Sequence, residues 1–285
     1  MEKRTDKNSY TIIFAVGMVL VVGALLAFLA SALKPMITEN QRLEKQQNIL
    51  YAMGINENEG TSAKFVSKEK ITSKDAEGNV VKDEKGKEVK LPKVSVEFSK
   101  YIKEQIVLVV ENGKVTSQVN REEYITENGK EPYLIDVKKE QARAKNGKTR
   151  RLPLFVGEKD GKTFYIAPIR GKGLWDAIWG YVALDENMVV QGAYFDHKGE
   201  TPGLGANIKQ RFFMDDFIGE NLLDKNGDFK GITVAKGNAD PKNNDKMDNE
   251  IDAIAGATIT GDGVTAMIKK DLRLYLPYFK NLKNK

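Results

Sequence analysis

Hydrophobic and polar positions divide this chain into three kinds of stretch. From Ser9 to Leu33 no charged residue occurs, and Lys7 and Lys34 bracket the block. About 23 helical residues at about 1.5 Å each cover about 34 Å, enough to cross a bilayer with some tilt. Ala30-Ser31-Ala32 also offers a small-x-small cleavage pattern. Signal-peptide cores run to only about 7–15 apolar residues, so an uncleaved anchor over 10–33 is the expectation. Pro35 to Gly54 predicts a helix leaving the apolar block, with Ile37, Leu43, Ile49 and Leu50 on one stripe. Residues from about Asn56 to Lys93 are polar, with turn signals at Glu77-Gly78-Asn79 and Glu84-Lys85-Gly86-Lys87. They read as hairpins and loops at the start of a polar insertion over about 56–150.

Strand-forming residues then dominate. They predict strands at Val94–Phe98, Ile106–Val110, Leu152–Val156, Thr163–Ile169, Gly180–Leu184 and Val189–Phe195. Between Glu111 and Arg150 the pattern is polar and poorly defined except at Tyr133–Val137. Ile208–Ile218 predicts a helix, Ile232–Ala235 a short strand, and Gly263–Leu282 the last helix. In that helix Val264, Met267, Ile268, Leu272 and Tyr275 share one face, with Lys269, Lys270 and Arg273 toward solvent. Strands and helices mix without strict βαβ alternation, so the predicted class is α+β.

Composition narrows the chemistry. With no cysteine, disulfides, thiolate metal sites, iron–sulfur ligation and cysteine nucleophiles are excluded, and so is a lipoprotein anchor. The single histidine, His197, removes multi-histidine metal sites. Redox chemistry on this chain needs an organic cofactor. The net charge of +5 comes from lysines interleaved with acids, as in Lys82-Asp83-Glu84-Lys85. No basic stripe with aromatics is present, so nucleic acid is not an expected partner; an anionic membrane surface suits this charge better. Lys3, Arg4 and Lys7 place the leading tail, 1–9, in the cytoplasm, and 34–285 outside the cytoplasmic membrane.

Two motifs carry candidate chemistry. Asp252-Ala253-Ile254-Ala255-Gly256-Ala257-Thr258 strings small residues into a threonine ahead of a helix. Such a backbone approaches a ligand closely, and a helix start attracts phosphate. The plain alternative is that Thr258 caps the helix. Phe195 to Gly205 holds the second motif, Glu200-Thr201-Pro202-Gly203-Leu204-Gly205, a rigid loop able to present backbone N–H groups to a planar ligand. Neither it nor Gly171-Lys172-Gly173-Leu174-Trp175-Asp176 has the dinucleotide glycine spacing. Trp175 and Trp179, at helical spacing, suit a core. Lys236 ends a strand where it can face a phosphate or solvent. Asp224-Lys225-Asn226-Gly227-Asp228 reads as a turn, not a calcium loop. Asp240, Asp245, Asp248 and Glu250 read as a solvated loop. Asp196 and His197 are adjacent and form no triad.

The segment Asp252 to Thr258 resembles the flavinylation motif Asp-x-x-(Ser/Thr/Ala)-Gly-Ala-Thr. Together with the anchor, Gly173-Leu174-Trp175, Gly180 to Leu184 and the Glu200 loop, it resembles the C subunits of the Na+-translocating NADH:quinone reductases. The departures are Ala255 and Gly261, where serine is commoner. The resemblance implies FMN joined through its phosphate to Thr258, installed outside the cytoplasm by a flavin transferase using FAD and a divalent metal. It implies that Asp252 belongs to the signature the transferase reads. Glu200, Thr201, Gly203 and Leu204 then line the flavin, with Leu174, Trp175, Lys236, Ile254, Gly256, Ala257 and Thr260 nearby. The resemblance further implies a relay of electrons in a bacterial inner-membrane complex of six subunits that oxidises NADH, reduces quinone and exports Na+. No catalytic acid or base and no metal ligand is expected. Two rivals share features: the flavin subunit of Rnf-type electron-transport complexes, whose usual chain is shorter, and a membrane-tethered binding module without flavin.

Overall fold

The computed structural model describes residues 8–55, 70–72, 90–92, 96–237 and 243–283. The chain divides into two compact units, Met1–Glu44 and Lys45–Lys285. Helix α1, Asn8–Tyr51, begins in the first and ends in the second. It is long and apolar enough to cross a membrane. Its side chains face outward, Ile13 being 72 % and Phe28 71 % exposed, a patch far too apolar for contact with water alone. Pro35 sits inside the helix and does not end it.

The second unit is built on a six-stranded antiparallel sheet. Its strands are β3 (Ile102–Glu111), β4 (Lys114–Val119), β5 (Arg150–Lys159), β6 (Lys162–Lys172), β7 (Ala177–Leu184) and β8 (Val190–His197), in the order β4-β3-β5-β6-β7-β8. Two strands, β3 and β4, fall inside the 56–150 stretch. Alternation along each strand serves two cores. Leu154, Ala167, Val182 and Leu184 join one, while Phe155, Ile166, Tyr181 and Ala183 join the other. A sheet covered on both faces needs apolar residues at consecutive positions, which is why β7 reads almost continuously hydrophobic.

One core takes Ile49, Leu50 and Met53 from the end of α1 and the turn after it. The other takes helix α5 (Arg211–Asp216) and helix α6 (Thr258–Leu272). Val264, Met267, Ile268 and Leu272 pack α6 into the sheet. Each such buried side chain contributes about 1.5–3 kcal/mol. Phe195 in β8 meets Phe213 and Phe217 at ring-centroid distances of 5.9 and 5.0 Å. A buried acid pins the far end of α6: Asp271, wholly buried, accepts from Arg150 Nη2 at 2.9 Å, Gln141 Nε2 at 3.0 Å and the Arg170 amide at 2.9 Å. Beside this core β9 (Thr233–Val234) and β10 (Glu250–Ile251) pair in parallel, and β10 feeds the chain into α6.

Several expectations shift. Residues 96–98 belong to helix α2 (Val96–Tyr101), not to a strand; 94 and 95 lie outside the described residues. The poorly defined 111–150 stretch contains β4, helix α3 (Arg121–Asn128) and helix α4 (Val137–Lys145). Both helices start at side-chain caps: Asn120 accepts from the Glu123 amide and Asp136 from the Lys139 amide. The helix expected over 208–218 is split into a 3-10 turn, Gly205–Lys209, and α5. The last helix starts at Thr258 and changes to a 3-10 turn over Arg273–Tyr275 before α7 (Leu276–Lys283). Of the polar 56–93 segment, only β1 (Lys70–Thr72) and β2 (Lys90–Pro92), an antiparallel pair, are among the described residues. Lys82 to Lys87 and the Glu77-Gly78-Asn79 turn lie outside them, as does Asp240.

Candidate functional site

The small-residue segment between β10 and α6 turns sharply. Ala257 N donates to Ile254 O at 3.0 Å across Gly256, whose φ is +71°. A Cβ there would stand 2.8 Å from Leu204 Cδ2, so glycine is required both by conformation and by close approach of the Glu200 loop. The N-cap of α6 is Ala257, which offers no side-chain cap. Thr258 is the first helical residue, one place past the capping position. Its side chain is exposed, and its hydroxyl has no partner among the described residues. The amides of Thr258, Ile259 and Thr260 are the first three of the helix and have no acceptor within it. This arrangement disfavours the capping alternative and leaves both the hydroxyl and the amide array available.

A buried carboxylate ties the surroundings together. Glu200 is 5 % exposed. Its Oε1 accepts from the Trp175 amide at 3.0 Å and the Asp176 amide at 3.4 Å. Its Oε2 accepts from the Thr260 hydroxyl at 2.6 Å and the Leu174 amide at 3.3 Å. Three segments far apart in sequence thus meet on one side chain. Two glycines make room for it: a Cβ at Gly173 would lie 2.6 Å from Oε1, and one at Gly205 2.6 Å from Oε2. Burial pushes the Glu200 carboxyl up, but the Thr260 hydroxyl and the three amides outweigh it and hold the group below the usual glutamate range.

These segments enclose a cleft of about 230 Å³. Of the residues expected at the site, Leu174, Glu200, Thr201, Leu204, Gly256, Ala257, Thr258 and Thr260 line it. Gly205, the closing glycine of the second motif, and Ile259, which was not expected at the site, line it too. Trp175 stands at its rim, 66 % exposed, donating from Nε1 to Thr201 Oγ1 at 3.2 Å. It lies in a loop and Trp179 in β7, so their helical spacing has no helix behind it. Gly203 (φ +78°) shapes the loop from outside the lining, and Ile254 belongs to the core beneath. Lys236 is exposed, beside the motif: Ala235 N donates to Ile251 O at 2.8 Å and Ala253 N to Gly237 O at 3.1 Å. Asp252 starts the segment, its amide donating to Asp216 Oδ2 at 3.3 Å, and Ala255 is exposed. Larger clefts of about 400 and 510 Å³ lie against β3 and β4 and contain no motif residue.

The remaining sequence signals have ordinary structural roles. Asp224 closes a tight turn, accepting from the Asn226 and Asp228 amides at 2.8 and 3.0 Å. Asp196 pairs with Lys209 at 2.9 Å, and His197 Nδ1 accepts from the Glu200 amide at 3.1 Å. Among the described residues no group of three or more histidines, aspartates or glutamates is placed to hold a metal ion.

Residues 173–273, which contain every wall of this cleft, match the FMN-binding domain family. The C subunit of the Na(+)-translocating NADH-quinone reductase of Pseudomonas aeruginosa is 28 % identical over 271 residues, 92 % of this chain and 90 % of that protein. Its counterpart in Yersinia pestis is 41 % identical over 101 residues, covering 35 % of this chain and 36 % of that one. The crystal structure of the C subunit from Parabacteroides distasonis is 30 % identical, covers 66 % of this chain and 85 % of that one, and superposes with a TM-score of 0.51. Shewanella oneidensis NqrC shares the fold, with a TM-score of 0.55 at 22 % identity over 87 % of this chain and 100 % of its own. By these likenesses and the motifs that carry them, the chain belongs to the family of Na(+)-translocating NADH-quinone reductase C subunits.

Proposed function

We propose that this chain is the electron-carrying flavoprotein subunit of a Na+-pumping NADH:quinone oxidoreductase, holding FMN through a phosphodiester to Thr258 Oγ1. The observation that carries this reading is the position of Thr258: exposed, unbonded, first in α6, and on the wall of a cleft assembled from both sequence motifs. The residues present fit the group. A phosphodiester at Thr258 keeps one negative oxygen beside the three free amides of the helix start, where the helix dipole also favours it. Lys236, exposed two residues past β9 and between the two backbone bonds to the motif, is a further candidate counter-charge for that oxygen. Leu174, Leu204 and Ile259 give the cleft apolar surface for a planar ring, and Glu200 holds the Leu174 backbone in place.

The cleft is shallow. Sites that bury a whole drug-sized ligand run to about 300–1,000 Å³, and this one has about 230 Å³. A covalent tether makes retention independent of that limited burial. It also leaves part of the bound group open to a redox partner, which suits a relay. The bound flavin supplies reversible electron uptake; the chain needs to hold and orient it, without a general acid or base.

In this reading α1 anchors the protein in the inner membrane, Lys3, Arg4 and Lys7 stay cytoplasmic, and the FMN domain lies on the other side. The partners are the other members of an assembly of six subunits, which carry the NADH and quinone sites, and a flavin transferase that reads Asp252 to Thr258 during maturation. Thr258→Val tests the linkage: the full-length variant, co-produced with the transferase, folds but shows no flavin fluorescence on a denaturing gel. Persistent fluorescence overturns the assignment of Thr258.

A further inference from the structure

Glu200 puts a fixed negative charge into the cleft wall. Its four donors are three amides and a hydroxyl, all neutral. No lysine or arginine pairs with it among the described residues. The nearest cations in sequence are engaged elsewhere, Lys198 with Asp176 at 2.8 Å and Lys209 with Asp196 at 2.9 Å. Neutral donors stabilise a charge without cancelling it, and burial removes the water that would screen it. A ring tethered through Thr258 and seated in this cleft therefore lies against an uncancelled carboxylate.

We propose that Glu200 lowers the midpoint reduction potential of the flavin held in the cleft, so that the flavin gives up electrons more readily than it would beside a neutral wall. This rests on the reading that Thr258 carries FMN. The cause is Coulombic: reduction adds negative charge to the ring system, and a nearby anion in a poorly screened site opposes it. Thr260 acts in the opposite sense. Its hydroxyl proton, aimed at Oε2 from 2.6 Å, draws part of the carboxylate's charge away from the cleft. Both residues also hold the walls in place, so a useful test must separate the field from mere loosening.

The opposed signs provide it. Full-length protein, co-produced with the transferase and purified from membranes, is titrated electrochemically while the visible flavin absorption is followed. Glu200→Gln, which removes the charge and keeps the volume, shifts the midpoint to more positive potential. Thr260→Val, which removes one donor and keeps the charge, shifts it to more negative potential. A loosened cleft would move both midpoints the same way, and that result overturns the inference, as does a Glu200→Gln midpoint equal to the wild type. Should Glu200→Gln fail to load flavin, Thr260→Val decides: a midpoint at or above the wild-type value overturns the inference. Wild-type protein without covalent flavin overturns the functional reading and this inference with it, an outcome distinguishable from an unmoved midpoint on loaded protein.

Discussion

Two buried glutamates of the same domain, Glu200 and Glu220, have opposite surroundings. Glu200, in the cleft, receives four hydrogen bonds from two other chain segments. Glu220, wholly buried near the start of β8, receives none among the described residues. Its nearest cation, Lys246, stands 3.8 Å away and donates at 3.1 Å to the carbonyl of Asp216 instead. Burial pushes the Glu220 carboxyl up to about 7; Asn243, which is close by but donates at 2.7 Å to the Asp216 carbonyl, and Lys246 offset the effect only in part, and Asp248 and Asp216 add to it. The comparison teaches that burial alone does not decide an acid's state; donors do. Four donors keep one acid charged at the site, and burial shifts the other toward its neutral form.

Breaking the donor set at Glu200 has the largest expected effect. Glu200→Ala orphans three amides and a hydroxyl, at a cost of about 2–4 kcal/mol, because the open cleft lets water satisfy some of them. Its pH dependence has a definite sign. The folded-state value is depressed, so the stabilisation is fully present above the unfolded value near about 4.3 and is lost as pH falls through the folded one. Urea unfolding of the wild type and the variant, compared at pH 7 and pH 3, checks this: the gap narrows at the lower pH. A gap that is small at pH 7, or unchanged at pH 3, contradicts the account.

Glu220 has the opposite slope. Its folded-state value is raised, so the unfolded chain ionises first and stability falls as pH rises from about 4.3 to about 7. Glu220→Gln removes that penalty and stabilises the protein by about 1–3 kcal/mol at pH 8, with no gain at pH 4. Thermal unfolding across that range shows it; equal shifts at both ends would mean that the acid is not held neutral. Gly256→Ala has the smallest effect. The left-handed conformation costs about 1 kcal/mol and the displaced Leu204 side chain adds to it, for about 1–2 kcal/mol in all. A variant as stable as the wild type in a urea titration would show that the two walls do not meet so closely.

The cleft and the sheet were legible in the sequence to different depths and for different reasons. Short runs of β-branched and aromatic residues gave β3 and β5 to β8, because a sheet buried on both faces needs apolar residues at nearly every position. The two ligand motifs were legible because Gly203, Gly256 and their small neighbours serve a turn or a close approach. Helices α3 and α4 were not legible by periodicity: Tyr124 is the one buried residue of the first and Glu140 of the second, so no apolar stripe exists. Asn120 and Asp136, their caps, were the available signal. The early start of α6 was hidden by Gly261 and Gly263. A Cβ at Gly261 would lie 3.0 Å from Val234 Cγ1, and one at Gly263 2.3 Å from the Lys172 carbonyl. Tertiary packing there requires residues that disfavour helix. The role of Glu200 could not be read from spacing at all, since its donors lie 24 to 26 residues before it and 60 after.

The central claim is the bond at Thr258. Full-length protein produced with its transferase, denatured, digested and analysed by mass spectrometry, should give a peptide spanning Asp252 to Thr258 and the start of α6 that carries FMN, with fragmentation placing the addition on Thr258 and not on Thr260. The same peptide recovered wholly unmodified, while flavin leaves with the denaturant, would contradict it.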